Sequence, residues 1–166
     1  MVSKGESALG TKFRLGALQI RQNNQQNFGS VMATENQTII NIQLPTGQTM
    51  RSGNNSATVT LNAGESYVFS SGDSSSPGYG IIGTLIESDK PIVVSCGSAT
   101  GSFAVGSNSG GQDYGIDQIV GADKVGSEYI FVKGEGGDWW ENILLISDQI
   151  NTTINVNGNP LSSTGE

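Results

Sequence analysis

Apolar and polar residues alternate with a period of two along much of this chain. The alternation is clearest at residues 40–44, 57–61 and 153–156, where isoleucine, leucine, valine or alanine is separated by asparagine, glutamine or threonine. Because successive side chains of a β-strand point to opposite faces, each run predicts a strand with one buried face. Two less regular apolar runs, residues 80–86 and 142–146, predict strands that are covered on both faces.

Turn-forming residues separate these runs. They include Pro-Thr-Gly at 45–47, Ser-Gly-Asn-Asn at 52–55, Asn-Ala-Gly at 62–64 and Asn-Gly at 157–158. No segment carries a sustained apolar stripe with helical spacing. Short strands that follow one another at about ten-residue spacing are typical of a sandwich. The sequence therefore predicts an all-β fold, an antiparallel β-sandwich with little or no helix.

Two parts of the chain resemble each other weakly. Gly-Thr-Lys-Phe at residues 10–13 is echoed by Gly-Ser-Glu-Tyr at 126–129. Thr-Ile-Ile-Asn-Ile at 38–42 is echoed by Thr-Thr-Ile-Asn-Val at 152–156. The echo indicates that a second copy of the same strand pattern begins near residue 126.

The echo sets the predicted domain organisation. Residues 10–125 are predicted to form one β-sandwich module. Two interpretations of residues 126–166 stay open: the start of a second repeat, or strands that complete the first sandwich, since an unpaired strand edge is a liability. Residues 1–9 begin Met-Val-Ser-Lys-Gly-Glu, which we interpret as an expression scar or linker outside the fold.

Composition excludes several classes of function. The 166 residues carry 8 Lys and Arg against 15 Asp and Glu, a net charge of −7, so there is no basic stripe for nucleic acid. No apolar run reaches the ~18 residues of a membrane-spanning helix, so we expect no membrane insertion. The chain has no histidine, which excludes histidine-based triads and histidine metal ligands. Its single cysteine, Cys96, is expected to be a small buried residue. We predict no enzyme activity and no cofactor.

The best candidate for a recognition site is the glycine-rich segment 134–141. It places Trp139 and Trp140 beside the carboxylates of Asp138 and Glu141. An aromatic ring that stacks on a sugar face, with carboxylates that accept hydrogen bonds from its hydroxyls, is a plausible glycan site. The competing interpretation is that the two tryptophans pack in the core or cap one edge of the sheet. Adjacent strand residues point to opposite faces, so at most one of them would then be in the core.

A cluster of aspartates is a second candidate site, for a calcium ion. Asp113, Asp117 and Asp123 lie close together in sequence, and hard cations bind several oxygen ligands. Their spacing matches no named calcium loop, so we interpret them as turn-forming residues and predict no metal site.

Several segments resemble the IgGFc-binding-protein N-terminal domain family. The similarity is most specific at Ser-Asp-Lys-Pro-Ile-Val-Val (88–94), and continues through Asp-Gln-Ile-Val (117–120), Gly-Ser-Glu-Tyr-Ile (126–130) and the segment 151–158. Residues 61–67 are also similar. The resemblance implies a module of very large secreted or cell-surface proteins, many of them adhesins of gliding and surface-associated bacteria. No residue of this chain is known to match a contact with the antibody Fc region, so the resemblance does not imply that ligand.

Together these observations predict a non-catalytic extracellular or cell-surface adhesion module of a large protein. Its expected partners are neighbouring domains of the same protein and a polysaccharide or surface glycoconjugate. The alternative is a purely structural spacer in a surface stalk or filament.

Overall fold

The computed structural model describes residues 3–20, 25–72, 78–102, 113–139 and 141–161. Within these ranges the strands are β1 (Gly10–Arg14), β2 (Asn27–Ala33), β3 (Thr38–Gln43), β4 (Ser56–Leu61), β5 (Ser66–Ser70), β6 (Leu85–Gly101), β7 (Asp113–Ile119), β8 (Asn155–Val156) and β9 (Asn159–Pro160). Two short 3-10 helices, Gly5–Ala8 and Ala122–Lys124, are the only helical segments in the described part of the chain. The predicted all-β class is confirmed.

The 17-residue strand β6 organises the whole sheet. β1 and β3 pair with its first half, and β2 and β7 pair with its second half, all of them antiparallel. β4 then pairs with β3, and β5 pairs with β2, which gives one seven-stranded sheet. The sheet is nearly closed, so its two halves take the place of the two separate sheets of an ordinary sandwich.

Three connected interruptions run across the sheet. The chain leaves the ladder at residues 34–37 between β2 and β3, and again at 62–65 between β4 and β5. On the edge of β6 that pairs with β2 and β3, no partner is present among the described residues between Ser88 and Ile92. Pro91, which has no backbone N–H, lies in this gap, where no ladder hydrogen bond is required of it on that edge. The family-like segment 88–94 therefore marks the place where β6 changes partners.

The apolar core lies inside this sheet and confirms the period-two interpretation. Ile40 and Ile42 on β3 are buried, whereas Ile39 and Asn41, which alternate with them, are exposed. One cluster of buried side chains joins all the central strands: Phe13, Leu15, Val31, Ile40, Ile42, Leu44, Met50, Phe69, Ile81, Ile86, Ile92, Val94 and Cys96. The core therefore holds residues from both halves of the sheet.

Three predicted strands differ from the structure. Of the run 153–156, only Asn155 and Val156 form a strand, β8, and both are exposed. Residues 80–83 form a turn, and only the last two residues of the predicted run 80–86 enter β6. Ile81 and Ile82 are nevertheless buried, because the turn lies against the core. Residues 142–146 form no ladder, although their burial alternates with a period of two. A strand needs a partner, and no described residue supplies one there.

The segments outside the sheet are attached to it by a few polar contacts. The backbone N–H of Lys4 donates to Oε1 of Gln118 at 2.6 Å. At the other end Asn157 and Gly158 have φ of 51° and 79° and turn β8 into β9, a two-residue turn of the kind that Asn-Gly favours. The predicted boundaries at residues 9 and 125 stay predictions.

Candidate functional site

The glycine-rich segment forms a loop that is closed by Glu141. The Glu141 carboxylate accepts hydrogen bonds from the backbone N–H of Gly134 at 2.7 Å and of Gly136 at 2.5 Å. A Cβ at Gly136 would come within 2.6 Å of that carboxylate. The loop backbone thus lies close to the carboxylate, and both oxygens of Glu141 are engaged inside the loop.

Trp139 presents part of its indole to solvent. Its side chain lies over Gly137, where an added Cβ would be 3.0 Å from the ring, and the residue is 47% exposed. The carbonyl oxygen of Trp139 accepts a hydrogen bond from Nδ2 of Asn142 at 3.1 Å, which ties the turn together. A flat aromatic surface is therefore available beside the loop.

The other predicted site residues are placed differently. Asp138 forms an ion pair with Lys133, and its side chain is 88% exposed. Trp140 lies outside the described residues. The structure thus brings Asp138, Trp139 and Glu141 into one loop. The carboxylate of Glu141 is bound by backbone N–H groups of the loop, and that of Asp138 by Lys133 beside the loop.

An exposed apolar surface adjoins this loop, and sequence reasoning did not identify it. Residues 129–132 read Tyr-Ile-Phe-Val, and we call them the apolar segment. Ile130 and Val132 are 87% and 89% exposed, while the rings of Tyr129 and Phe131 stack with centroids 6.3 Å apart. Four consecutive aromatic or β-branched residues were the signal that could have revealed it.

A shallow groove runs between the apolar segment and the far side of the loop. Its volume is about 500 Å³, and it is lined by residues 130–134 and 141–143. Ile143 in its lining is exposed, and so is Leu145 two residues further along the chain. Exposed apolar patches of this kind are common at sites of protein association.

The described residues offer no alternative site with catalytic chemistry. Burial raises the pKa of the Cys96 thiol from 9.0 to about 11, with Asp117 adding to the rise and the Gly16 backbone opposing it, so this thiol is not a nucleophile at neutral pH. Within the described ranges no three potential ligands come together to hold a metal. No helix in the described part of the chain is long and apolar enough to cross a membrane.

The candidate aspartates have ordinary partners. Asp117 forms an ion pair with Lys4 at 2.6 Å. Asp123 lies 3.4 Å from the ammonium group of its neighbour Lys124. Both carboxylates therefore have cationic partners, and they do not converge with Asp113 on a common point among the described residues.

The Ser-Asp-Lys-Pro motif is part of the architecture. The Asp89 carboxylate accepts a hydrogen bond from the backbone N–H of Ile39 at 2.8 Å. The Lys90 ammonium group donates to the carbonyl oxygen of Asn36 at 2.5 Å. These contacts join β6 to β3 at Ile39 and to the turn before β3 at Asn36, so this motif holds strands together.

Comparison with known proteins identifies the chain at the level of its family. No curated protein and no solved structure matches it. The model of one family, described as IgGFc binding protein, matches residues 1–165. Because this match spans nearly the whole sequence, the chain belongs to the IgGFc-binding-protein family.

Proposed function

We propose that this chain is a non-catalytic extracellular adhesion module that binds other proteins through the apolar segment and the adjoining groove. Membership of the family indicates an extracellular binding module. The observation that carries the proposal is the exposure of Ile130 and Val132, at 87% and 89%, beside the groove that residues 130–134 and 141–143 line. We further propose that the module is one domain of a larger surface protein.

In the proposed mechanism, the apolar segment is exposed at the surface of the module, where a partner protein buries its side chains. Burying one large apolar side chain in a complex contributes roughly 1.5–3 kcal/mol, and a few such side chains dominate the affinity of most interfaces. Phe131 and Tyr129 are already stacked on each other in the unbound chain. Binding therefore costs less side-chain conformational entropy than it would for two mobile rings.

An array of purified extracellular proteins, immunoglobulin Fc among them because of the family's name, tests this proposal. The wild-type chain should be retained by at least one protein. A double variant, Ile130→Ser with Val132→Ser, should lose that retention, whereas Tyr114→Ser on β7, an equally exposed position at 84%, should keep it. Failure of every protein to bind, or equal binding by the double variant, would overturn the proposal.

A second candidate ligand is a polysaccharide or surface glycoconjugate, and the half-exposed Trp139 favours it. An indole face beside a glycine turn suits stacking on the apolar face of a sugar ring. Because Glu141 and Asp138 are engaged within the loop and its flank, the indole would carry most of the contact.

A glycan array separates this candidate from the structural spacer. Glycan binding that disappears in Trp139→Ala or Trp140→Ala, but persists in Tyr79→Ala, supports the glycan ligand. Tyr79 is a suitable control because it is exposed and lies outside the loop. The spacer, which contacts only neighbouring domains, is favoured if no glycan binds and both tryptophan variants lose stability.

A further inference from the structure

The strand β4 ends the sheet on the side of β3, and its outer edge has no partner among the described residues. The N–H of Leu44 donates to the carbonyl oxygen of Asn55, which fixes the phase of the ladder between β3 and β4. Because backbone groups alternate in direction along a strand, those of Ser56, Thr58 and Thr60 point away from β3. No described residue forms a hydrogen bond with these outward N–H and C=O groups.

The other outer strands of the sheet carry charges or are partly covered. β1 contains Lys12 and Arg14, both held in ion pairs, and β7 contains Asp117, which is paired with Lys4. β5 has no charged residue, but residues 49–51 pair with its C-terminal end. Charges and covering segments are the usual means by which an edge strand avoids pairing with another chain. Among the described outer strands, β4 alone has neither.

The composition of β4 suits a strand that gains a second neighbour. It reads Ser-Ala-Thr-Val-Thr-Leu, without charge, glycine or proline, and threonine and valine favour strands. Thr58 and Thr60 are exposed on the outer face, whereas Ala57 and Val59 are half-buried and pack against the core. A strand added to this edge would cover apolar surface of Ala57 and Val59 that is now in water.

We propose that the partner of this edge is β4 of a second copy of the chain, paired antiparallel about a twofold axis at Thr58. In this register Thr58 lies opposite its own counterpart, and Ser56 lies opposite Thr60 of the other copy. The three outward residues then exchange all their backbone hydrogen bonds, and hydroxyl side chains meet on the outer face. On the inner face Ala57 meets Val59, so a small side chain is opposite a larger one.

The charges at the two ends of β4 favour a second copy as the partner. Arg51 is the only charged residue between Glu35 and Glu65. It lies in the turn before β4, and Glu65 lies in the connection after it. Antiparallel pairing places the turn before one β4 beside the connection after the other. The cationic end of each copy therefore meets the anionic end of its partner, which is electrostatic complementarity at both ends of the interface.

Sedimentation velocity over a range of concentrations tests the proposal with two variants of opposite charge. The wild type should form a reversible dimer. Thr58→Lys and Thr58→Asp should each weaken that dimer about fivefold, because position 58 would then face a like charge. An equimolar mixture of the two variants should dimerise again, since lysine faces aspartate in the mixed pair. A wild type that stays monomeric at every concentration, or a mixture that does not recover, would overturn the proposal.

Proline at the same position tests the main-chain hydrogen bonds. The N–H of Thr58 points away from β3, so Thr58→Pro removes a donor from the interface and none from the ladder within the chain, and edge strands accept proline. This variant should be monomeric with an unchanged circular dichroism spectrum. Val68→Lys, at a 63% exposed position on β5, is the matched control and should dimerise like the wild type. A dimer of Thr58→Pro would contradict the proposal; if this variant unfolds, the lysine–aspartate mixture decides.

The apolar segment supplies the control for location. The double variant Ile130→Ser with Val132→Ser should dimerise as the wild type does, because these residues are not part of β4. Loss of the dimer in this variant would assign self-association to the apolar segment and overturn the proposal. Species larger than a dimer would also overturn it, since they would require β4 to pair with a different strand of the next copy. Retention of proteins on the array does not depend on either outcome.

Discussion

The carboxylate of Asp148 accepts a hydrogen bond from the ammonium group of Lys12 at 3.0 Å, across 136 positions of sequence. Arg14, on the same strand, donates to the other carboxylate oxygen at 3.2 Å. The Asp148 side chain is only 20% exposed. This ion-pair cluster fastens Asp148, and with it the end of the segment 143–148, to β1.

The cluster predicts a stability difference that depends on pH. Desolvation opposes ionisation of Asp148, but hydrogen bonds from Lys12, Gln149 and Arg14 outweigh it and lower its pKa below the usual 3.8. A lowered pKa contributes stability above the unfolded-state value, and this is lost as pH falls through the folded-state value. Asp148→Asn should therefore lower the free energy of unfolding by about 1 kcal/mol at pH 7, and this deficit should shrink below pH 4.

Urea denaturation of the wild type and of Asp148→Asn at pH 7 and pH 3 measures that difference. Asp138→Asn is the matched control, because its ion pair with Lys133 is exposed and surface pairs contribute little. A deficit for Asp148→Asn that is equal at both pH values would contradict the electrostatic explanation.

The thiol of Cys96 should be unreactive in the folded chain. It is 5% exposed, and burial raises its pKa to about 11, so both access and thiolate formation are suppressed at pH 8. Ellman's reagent should release almost no chromophore from the native chain and one equivalent after denaturation in guanidinium. Rapid reaction of the native chain would show that the second half of β6 is open to solvent.

Gly97 should not tolerate a side chain. Its Cβ would overlap the carbonyl oxygen of Gly115 on β7 and come within 2.8 Å of the ring of Phe28 on β2. The carbonyl oxygen of Gly115 is a backbone atom and cannot rotate away, so β7 would have to move away from β6. Gly97→Ala should therefore cost at least about 3 kcal/mol of unfolding free energy.

Gly78→Ala is the control for that substitution, since nothing lies within 4 Å of its added Cβ. Thermal melts of the two variants should separate by many degrees. Similar melting temperatures for both would show that β7 is not held tightly against β6.

Asn27 should be among the most important polar residues of the fold. It is fully buried, its Nδ2 donates to the carbonyl oxygen of Leu18 at 2.8 Å, and its Oδ1 accepts from the backbone N–H of Ile81 at 3.2 Å. Asn27→Ala would leave the Ile81 N–H without this acceptor in a buried place, which costs about 1–3 kcal/mol.

Chemical denaturation of Asn27→Ala against Asn41→Ala isolates the effect of burial. Asn41 also accepts a hydrogen bond, from Thr58 at 2.8 Å, but in an exposed position. Asn41→Ala should change the unfolding free energy by less than about 0.5 kcal/mol. Equal losses in the two variants would mean that water enters the Asn27 site.

The sequence by itself determined the features that depend on neighbours in the chain. Alternation around Ile40 and Ile42 gave a strand with the correct buried face, and Asn157-Gly158 gave the correct turn, because side-chain direction and turn conformation are set by local backbone geometry. The segment 88–94, together with residues 117–130, was specific enough to indicate the family, and the match of the family model to residues 1–165 confirms it. The glycine-rich loop at residues 134–141 was predicted, whereas the hydrogen bonds that Glu141 accepts from Gly134 and Gly136 inside it were not.

The tertiary structure alone decided which strands meet. Nothing local shows that β6 is flanked by four different strands, that Asp148 reaches Lys12, or that Asn27 links Leu18 to Ile81. The same limit explains residues 142–146, which have the alternation of a strand but no ladder. Alternation specifies a face, whereas a β-strand exists only where another backbone supplies its hydrogen bonds, and that partner can lie anywhere in the sequence or on another chain.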